Sequence, residues 1–303
     1  MTEQNSNPNN LLRVSGVEYD APVGKLFKLG KDGKLIKDRG NRSERGRAIC
    51  RDLTFEDYAS WRQTLGGDTI LVVGNFESTV LHGRAVAYKD CADGITSISL
   101  SNKFLAHRPG PAILRIDIDT KRKGEVAGLC PERPQKFLTP EQAEKAFLKV
   151  IPEAKGCALL VTDSSSSRIK HGNKMIKGAG GYRIEIPVTD GTRIPDIIDH
   201  IHEACWAKGY GWAFVDGGGG ILYRSLADEA LKKPAQPDYA APECVDDLCQ
   251  DRRWLVREGK HLDPAIIKPL SADEKAAASA AKAEANFALE KIAATVRSAL
   301  RKR

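Results

Sequence analysis

The run Ile113-Leu114-Arg115-Ile116-Asp117-Ile118-Asp119 constrains this chain more than any other stretch. Its β-branched, apolar character predicts a strand over residues 112–118, and side chains two apart on a strand share a face. Asp117 and Asp119 therefore project together, while Ile116 and Ile118 turn into the core behind them. Adjacent carboxylates repel, and a divalent cation is the commonest reason for a fold to hold them side by side. On its own the run is also compatible with a strand end whose carboxylates face water.

Around this strand the pattern is mixed α and β without strict alternation, which predicts an α+β fold rather than a doubly wound sheet. Thr54-x-x-Asp57, with Leu53 before it, opens a short helix that Gly66-Gly67 closes. Strands are expected at 69–73, 83–88, 95–100, 112–118, 157–161 and 182–188, and two more at 212–215 and 221–224. Thr139-Pro140-Glu141-Gln142 combines a capping box with proline at the first helical position, so a helix should run to about Val150. Ile194, Ile197, Ile198, Ile201 and Cys205 mark an amphipathic helix that Lys208-Gly209 stops. Ser271-x-x-Glu274 caps an alanine-rich helix expected to reach Arg303, with Leu289, Ile292, Val296 and Leu300 along one stripe. The division expected is a disordered stretch over 1–12, a basic N-terminal α/β subdomain over 13–94, a core over 95–255, and a linker with a long basic helix over 256–303.

Charge is concentrated. The chain of 303 residues carries 47 Lys and Arg against 40 Asp and Glu, a net +7. Residues 25–51 alone carry ten basic and three acidic side chains, so this one segment equals the net charge of the whole. Such a stripe suits a polyanion, with Lys25, Lys28, Arg42, Arg45 and Arg47 as candidate DNA contacts; a solvated basic loop is the plainer reading. No stretch is apolar enough to cross a bilayer and the polar N-terminus is not signal-like, so a cytoplasmic protein with no membrane partner is expected. The seven cysteines are odd in number and scattered, as in a chain that keeps reduced thiols. Cys244 and Cys249 are the only close pair, a weak zinc signal without a second pair nearby.

Two further segments suit the chemistry that Asp117 and Asp119 suggest. Asp163-Ser164-Ser165-Ser166-Ser167-Arg168 follows an apolar strand, and Lys170 and Gly178-Ala179-Gly180-Gly181-Tyr182-Arg183 come after it. Hydroxyls, backbone N–H groups freed by glycine, and a guanidinium are what a triphosphate needs, although Ser/Gly-rich surface loops are also common. Leu222-Tyr223-Arg224-Ser225-Leu226-Ala227-Asp228 then adds a cation and a carboxylate at a strand exit.

Read together, these segments resemble the archaeo-eukaryotic primase superfamily, in particular primase-polymerases of phages, plasmids and integrated elements. The resemblance spans roughly residues 95–255 and rests on three motifs. They are a strand ending Asp-x-Asp, a Ser with a glycine-rich approach to the next strand, and Leu222, Arg224 and Asp228 in a Leu-x-Arg-x-x-x-Asp pattern. The spacing around Trp206-Ala207-Lys208-Gly209-Tyr210-Gly211 is similar as well. One departure stands out: where the family's second motif has a histidine, this chain has Arg183.

The resemblance implies a primase-polymerase core with a mixed or antiparallel sheet flanked by helices. It implies two Mg²⁺ or Mn²⁺ ions held by Asp117, Asp119 and Asp228, and nucleotide binding by Ser166, Ser167, Lys170, Arg183 and, more weakly, Arg224. The implied partners are single-stranded DNA, NTP or dNTP, and a replicative helicase in a bacterial or phage-infected cell. No Gly-x4-Gly-Lys-Ser/Thr loop occurs, so a helicase would be a separate protein or lie on a longer form of this one. His171, His200 and His202 are weak substitutes for the missing histidine. The readings set against this one are a metal-dependent glycosyltransferase, which also uses Asp-x-Asp, and a non-catalytic nucleic-acid-binding protein on a primase-like scaffold.

Overall fold

The computed structural model describes residues 11–39, 45–87, 97–118 and 139–301, with backbone alone at 39, 45 and 87. Along the chain run β1 (Leu12–Tyr19), β2 (Lys25–Leu29), β3 (Leu35–Arg39), β4 (Arg45–Leu53), α1 (Phe55–Thr64), β5 (Thr69–Val72), β6 (Asn75–Phe76), β7 (Ala85–Ala87), β8 (Leu105–Ala106) and β9 (Ala112–Ile118). After these come α2 (Pro140–Val150), β10 (Leu159–Asp163), β11 (Ile169–His171), β12 (Lys174–Lys177), β13 (Tyr182–Val188), α3 (Ile194–Ala207), β14 (Trp212–Val215) and β15 (Ile221–Arg224). The last elements are β16 (Pro237–Tyr239), β17 (Glu243–Cys244), β18 (Leu248–Gln250), β19 (Trp254–Arg257) and α4 (Ala272–Arg301). The fold is mixed α+β, with several antiparallel sheets and, among the described residues, four α-helices.

Two sheets position the site. The first has the order β16-β5-β1-β4-β7, and β16 pairs antiparallel with β5, Asp238 opposite Leu71. The second has the order β19-β10-β13-β9, antiparallel throughout. On β9 and β13 the period of two sorts side chains strictly. Leu114, Ile116 and Ile118 join Tyr182, Ile184, Ile186 and Val188 in one core with α2 and α3. Ile113 faces the other way, into a core with Leu12, Val14, Phe55, Tyr58 and Leu71 from the first sheet and α1. The second sheet is thus covered by helices on one face and by the first sheet with α1 on the other. α4 packs on α3, β14 and β15 through Ala278, Ala285, Leu289 and Ala293, while Leu300 of the expected stripe is exposed.

Three expectations need correction. Leu12 does not belong to a disordered stretch: it opens β1 and is fully buried, because it meets Phe55 and Tyr58 of α1; residues 1–10 lie outside the described residues. Over 97–100 the chain makes a single bridge, Ile98 to Val86, and Ile98 packs as a lone core side chain rather than in a strand. The strand expected at 157–161 begins at Leu159, since Cys157 and Ala158 are drawn to the Lys260 backbone.

Candidate functional site

Asp117 and Arg183 are cross-strand partners on β9 and β13, on the face away from α2 and α3. The Asp117 side chain is 32% exposed and that of Arg183 only 9%. Arg183 Nη2 lies 3.9 Å from Asp117 Oδ1, while its Nη1 lies 2.5 Å from Asp238 Oδ1 and donates to the Tyr239 carbonyl at 3.4 Å. Asp119, two residues beyond Asp117, lies outside the described residues.

Behind this pair a layer of buried charge joins the two sheets. Glu185 and Arg115, the next residues inward on the same face, form an ion pair of 3.2 Å across the ladder. Arg62 of α1 reaches Glu185 at 3.5 Å and Asp238 at 3.2 Å, and Arg115 reaches Asp238 at 3.5 Å. The Tyr58 hydroxyl donates to Glu185 at 2.7 Å, and Arg115 also donates to the Val72 carbonyl. Charges removed from water are tolerated when paired; here Arg62, Arg115, Glu185 and Asp238 all pair, although Arg62 Nε and Glu185 Oε2 are buried and meet only as an ion pair at 3.5 Å, without a hydrogen bond. Burial pushes the Asp238 carboxyl up, but Arg183, Arg62 and Arg115 outweigh it and hold the group below the usual range. Arg252 borders the same layer. Burial, reinforced by Arg62 and Arg183, pushes its guanidinium down to about 9. Four guanidinium groups therefore share Glu185 and Asp238, an excess of positive charge next to Asp117.

The serine loop is built onto the same sheet end. The Ser164 N–H donates to the Gly181 carbonyl at 2.9 Å, and the Ser167 hydroxyl accepts from Gly180 N–H at 3.1 Å and donates to the Gly181 carbonyl at 3.0 Å. Gln250 Nε2 donates to the carbonyls of both Ser164 and Ser167 at 2.9 Å, and its Oε1 accepts from Arg252 Nε at 3.0 Å. One side chain thereby ties the loop to the arginine layer. Gly181 is required by contact: a Cβ there would sit 2.5 Å from the Ile118 carbonyl oxygen. Ser167 is fully buried and its hydroxyl shapes the loop, whereas Ser166 is half-exposed. Arg168 adopts a positive φ of 53°, uncommon for a side chain of its size. Its guanidinium and Lys170 both pair with Asp251, at 2.6 and 2.9 Å, and these hydrogen bonds, Lys170 first, hold the Asp251 carboxyl low.

Of the basic N-terminal segment, Lys25 reaches this loop: its Nζ donates to Ser165 Oγ at 3.0 Å. The segment is not a loop but the β2–β3 ribbon followed by β4, whose first sheet neighbour is β1. Lys28 pairs with Asp38 across the ribbon at 3.1 Å, and Arg47 is exposed on β4. Arg42 and the Arg45 side chain lie outside the described residues.

Asp228 and Arg224 face each other, Nη1 to Oδ1, at 3.3 Å. The same Oδ1 accepts from Ala230 N–H at 3.1 Å, so Asp228 caps the 3-10 turn Glu229–Lys232, which packs on β9. The Asp228 side chain is 28% exposed. His171 is exposed, and His200 and His202 sit on α3. Burial, then the neighbouring Cys249, pushes the Cys244 thiol up to about 11. Among the described residues no three His, Cys, Asp or Glu side chains gather as a metal site.

Sequence reasoning missed Glu185, Asp238, Gln250 and Arg252. The signal for part of this layer was present, since Arg115 and Glu185 each interrupt an apolar strand, and a charge in such a strand requires a partner. Searches against protein-family models, characterised proteins and solved structures returned no match to this chain.

Proposed function

We propose that this chain is the catalytic unit of a DNA primase-polymerase of the archaeo-eukaryotic type, which joins nucleotides on a single-stranded DNA template. The observation that carries the reading is the cross-strand placement of Asp117 and Arg183, with the Ser164–Ser167 loop held against the same sheet end through Gly181. A carboxylate suited to a hard cation and groups suited to phosphate oxygens thereby meet at one edge.

Carboxylate oxygens of this kind suit Mg²⁺ or Mn²⁺, although among the described residues no three such ligands gather at one point. Asp117 offers a half-exposed carboxylate, and Asp228 keeps Oδ2 clear of the bonds that Oδ1 makes to Arg224 and Ala230. Asp119 would join Asp117 by strand alternation. When bound, such ions lower the pKa of an attacking 3′-hydroxyl and offset charge on departing pyrophosphate. The side chains bind and orient. Arg183, anchored through Nη1 on Asp238, keeps Nη2 toward Asp117, where an incoming phosphate would lie. Ser166 offers a hydroxyl to the same phosphates, and Lys170 exchanges Asp251 for them. Ser167 supports the loop from below. Lys25, Lys28 and Arg47 extend the basic face along which template would run, and a separate helicase would open the duplex.

The test is synthesis of new strands on circular single-stranded DNA with Mg²⁺ or Mn²⁺, comparing the wild type with Asp117→Asn/Asp119→Asn. Short labelled products from the wild type alone are expected. Equal product from the double variant sinks the assignment. One observation favours a second reading, a non-catalytic nucleic-acid-binding protein: Arg224 neutralises Asp228, which the catalytic reading needs as a metal ligand. Metal-independent DNA binding, with neither nucleotide binding nor synthesis, would select it.

A further inference from the structure

Arg252 stands apart from the other arginines of the buried layer. Arg62, Arg115 and Arg183 each form an ion pair with Glu185 or Asp238, whereas Arg252 pairs with no described carboxylate. Its Nε donates to Gln250 Oε1 at 3.0 Å, and Gln250 is itself fixed by the Ser164 and Ser167 carbonyls. Its guanidinium carbon lies 5.2 Å from the centre of the Trp254 ring. Nη2 is buried and meets no acceptor among the described residues. Nη1 is not buried, and no described residue accepts from it either. Strand register fixes where this group stands. Asp117 of β9, Arg183 of β13, Thr162 of β10 and Trp254 of β19 are successive cross-strand partners, one row across the second sheet. Directly opposed residues share a face, so Trp254 and the guanidinium over it lie on the Asp117 face. Two strand spacings, about 10 Å, separate the Trp254 and Arg183 backbones, with the short Thr162 side chain between them.

An aromatic face attracts a cation without neutralising it, and a buried donor with no acceptor is costly to keep. We infer that Arg252, held in place by Gln250 and Trp254, binds a phosphate group at this sheet end through Nη1. The guanidinium charge is delocalised, so an anion at Nη1 also offsets the charge on the buried Nη2. Burial first, then Arg62 and Arg183, depresses the Arg252 pKa to about 9, in keeping with a charge short of an anion. The phosphate is that of an incoming nucleotide or of the template strand. The inference rests on the polymerase reading for that choice of ligand, and it adds a residue that none of the three sequence motifs contains.

Binding of tripolyphosphate and of a fluorescent oligothymidylate is to be measured on the full chain, with EDTA present so that no metal site contributes. The variant is Arg252→Met, which keeps a side chain of similar reach on Trp254; Lys291→Gln on α4 controls for loss of charge. Loss of about tenfold or more in tripolyphosphate affinity, with the control unchanged, is expected of a nucleotide phosphate. The same loss for the oligonucleotide alone assigns Arg252 to a strand phosphate. Because the variant removes a charge that no carboxylate balances, it should melt no lower than the wild type. Unchanged affinity for both ligands overturns the inference, as does an equal loss in the control. A melting point lowered by about 5 °C or more also overturns it, since Arg252 would then be a structural partner. These readouts need neither metal nor synthesis, so a chain that makes no product would leave them standing, and their failure would leave the Asp117/Asp119 test intact.

Discussion

Arg183 shares one guanidinium between Asp238, at 2.5 Å, and Asp117, at 3.9 Å. The Asp238 side is fully buried, whereas the Asp117 side chain is partly exposed, although its Oδ1 is buried. Asp238 therefore fixes the arginine, and under the proposed function the Asp117 side is where a phosphate would be met. A histidine at this position could not span both, because its ring is too short to keep a buried anchor and also reach the strand opposite.

Asp238→Asn should be costly to the fold. It removes the carboxylate shared by Arg62, Arg115 and Arg183, leaving Arg62 and Arg115 with Glu185 and Arg183 with Asp117 at 3.9 Å. Breaking a buried pair in this way costs about 3 kcal/mol or more. Urea denaturation reads the loss as a lower midpoint with an unchanged slope.

The same carboxylate sets an acid limit. Its folded-state pKa lies below the unfolded value, so the unfolded chain binds the proton more readily. The stabilisation is then fully present above the ordinary aspartate range and is lost as pH falls through the folded value. Thermal melts at descending pH should fall more steeply for the wild type than for Asp238→Asn.

Gly181→Ala should disturb the loop without touching a charge. Its Cβ would meet the Ile118 carbonyl at 2.5 Å, and either the end of β9 or the serine loop must move. Overpacking of this kind costs about 1–3 kcal/mol. Nucleotide affinity and synthesis should both drop, whereas Gly178→Ala, which meets open space, should leave both intact.

The helical layer and the central strands were legible because local and global preferences agree there. Thr139 and Ser271 cap α2 and α4 as their motifs predict, and β9, β13, α3, β14 and β15 fall where periodicity places them. Strands β1 and β4 of the first sheet, and the β2–β3 ribbon, were obscure for a physical reason. β1 carries Ser15 and Gly16 at its centre, and β2 to β4 interleave lysines and arginines with short apolar stretches, so one exposed face makes each look like a loop. Gly16 has a structural cause: a Cβ there would lie 2.5 Å from the Ile70 carbonyl oxygen on β5. At the site, the carboxylate on β9, the serine loop and Arg183 could be read from motifs. Their supports could not, since Asp238 reaches Arg62 across 176 positions and Gln250 reaches Ser164 across 86.

The return of β16 to the first sheet bears on how the protein is born. Asp238 lies opposite Leu71, yet every residue between them leaves the ribosome first. A chain emerging from its N-terminus, at about 5–20 residues per second, would wait roughly ten to thirty seconds with the edge of β5 bare and Arg62 without Asp238. During that interval the unpaired strand edge is a site for chaperone engagement or for pairing with another nascent chain.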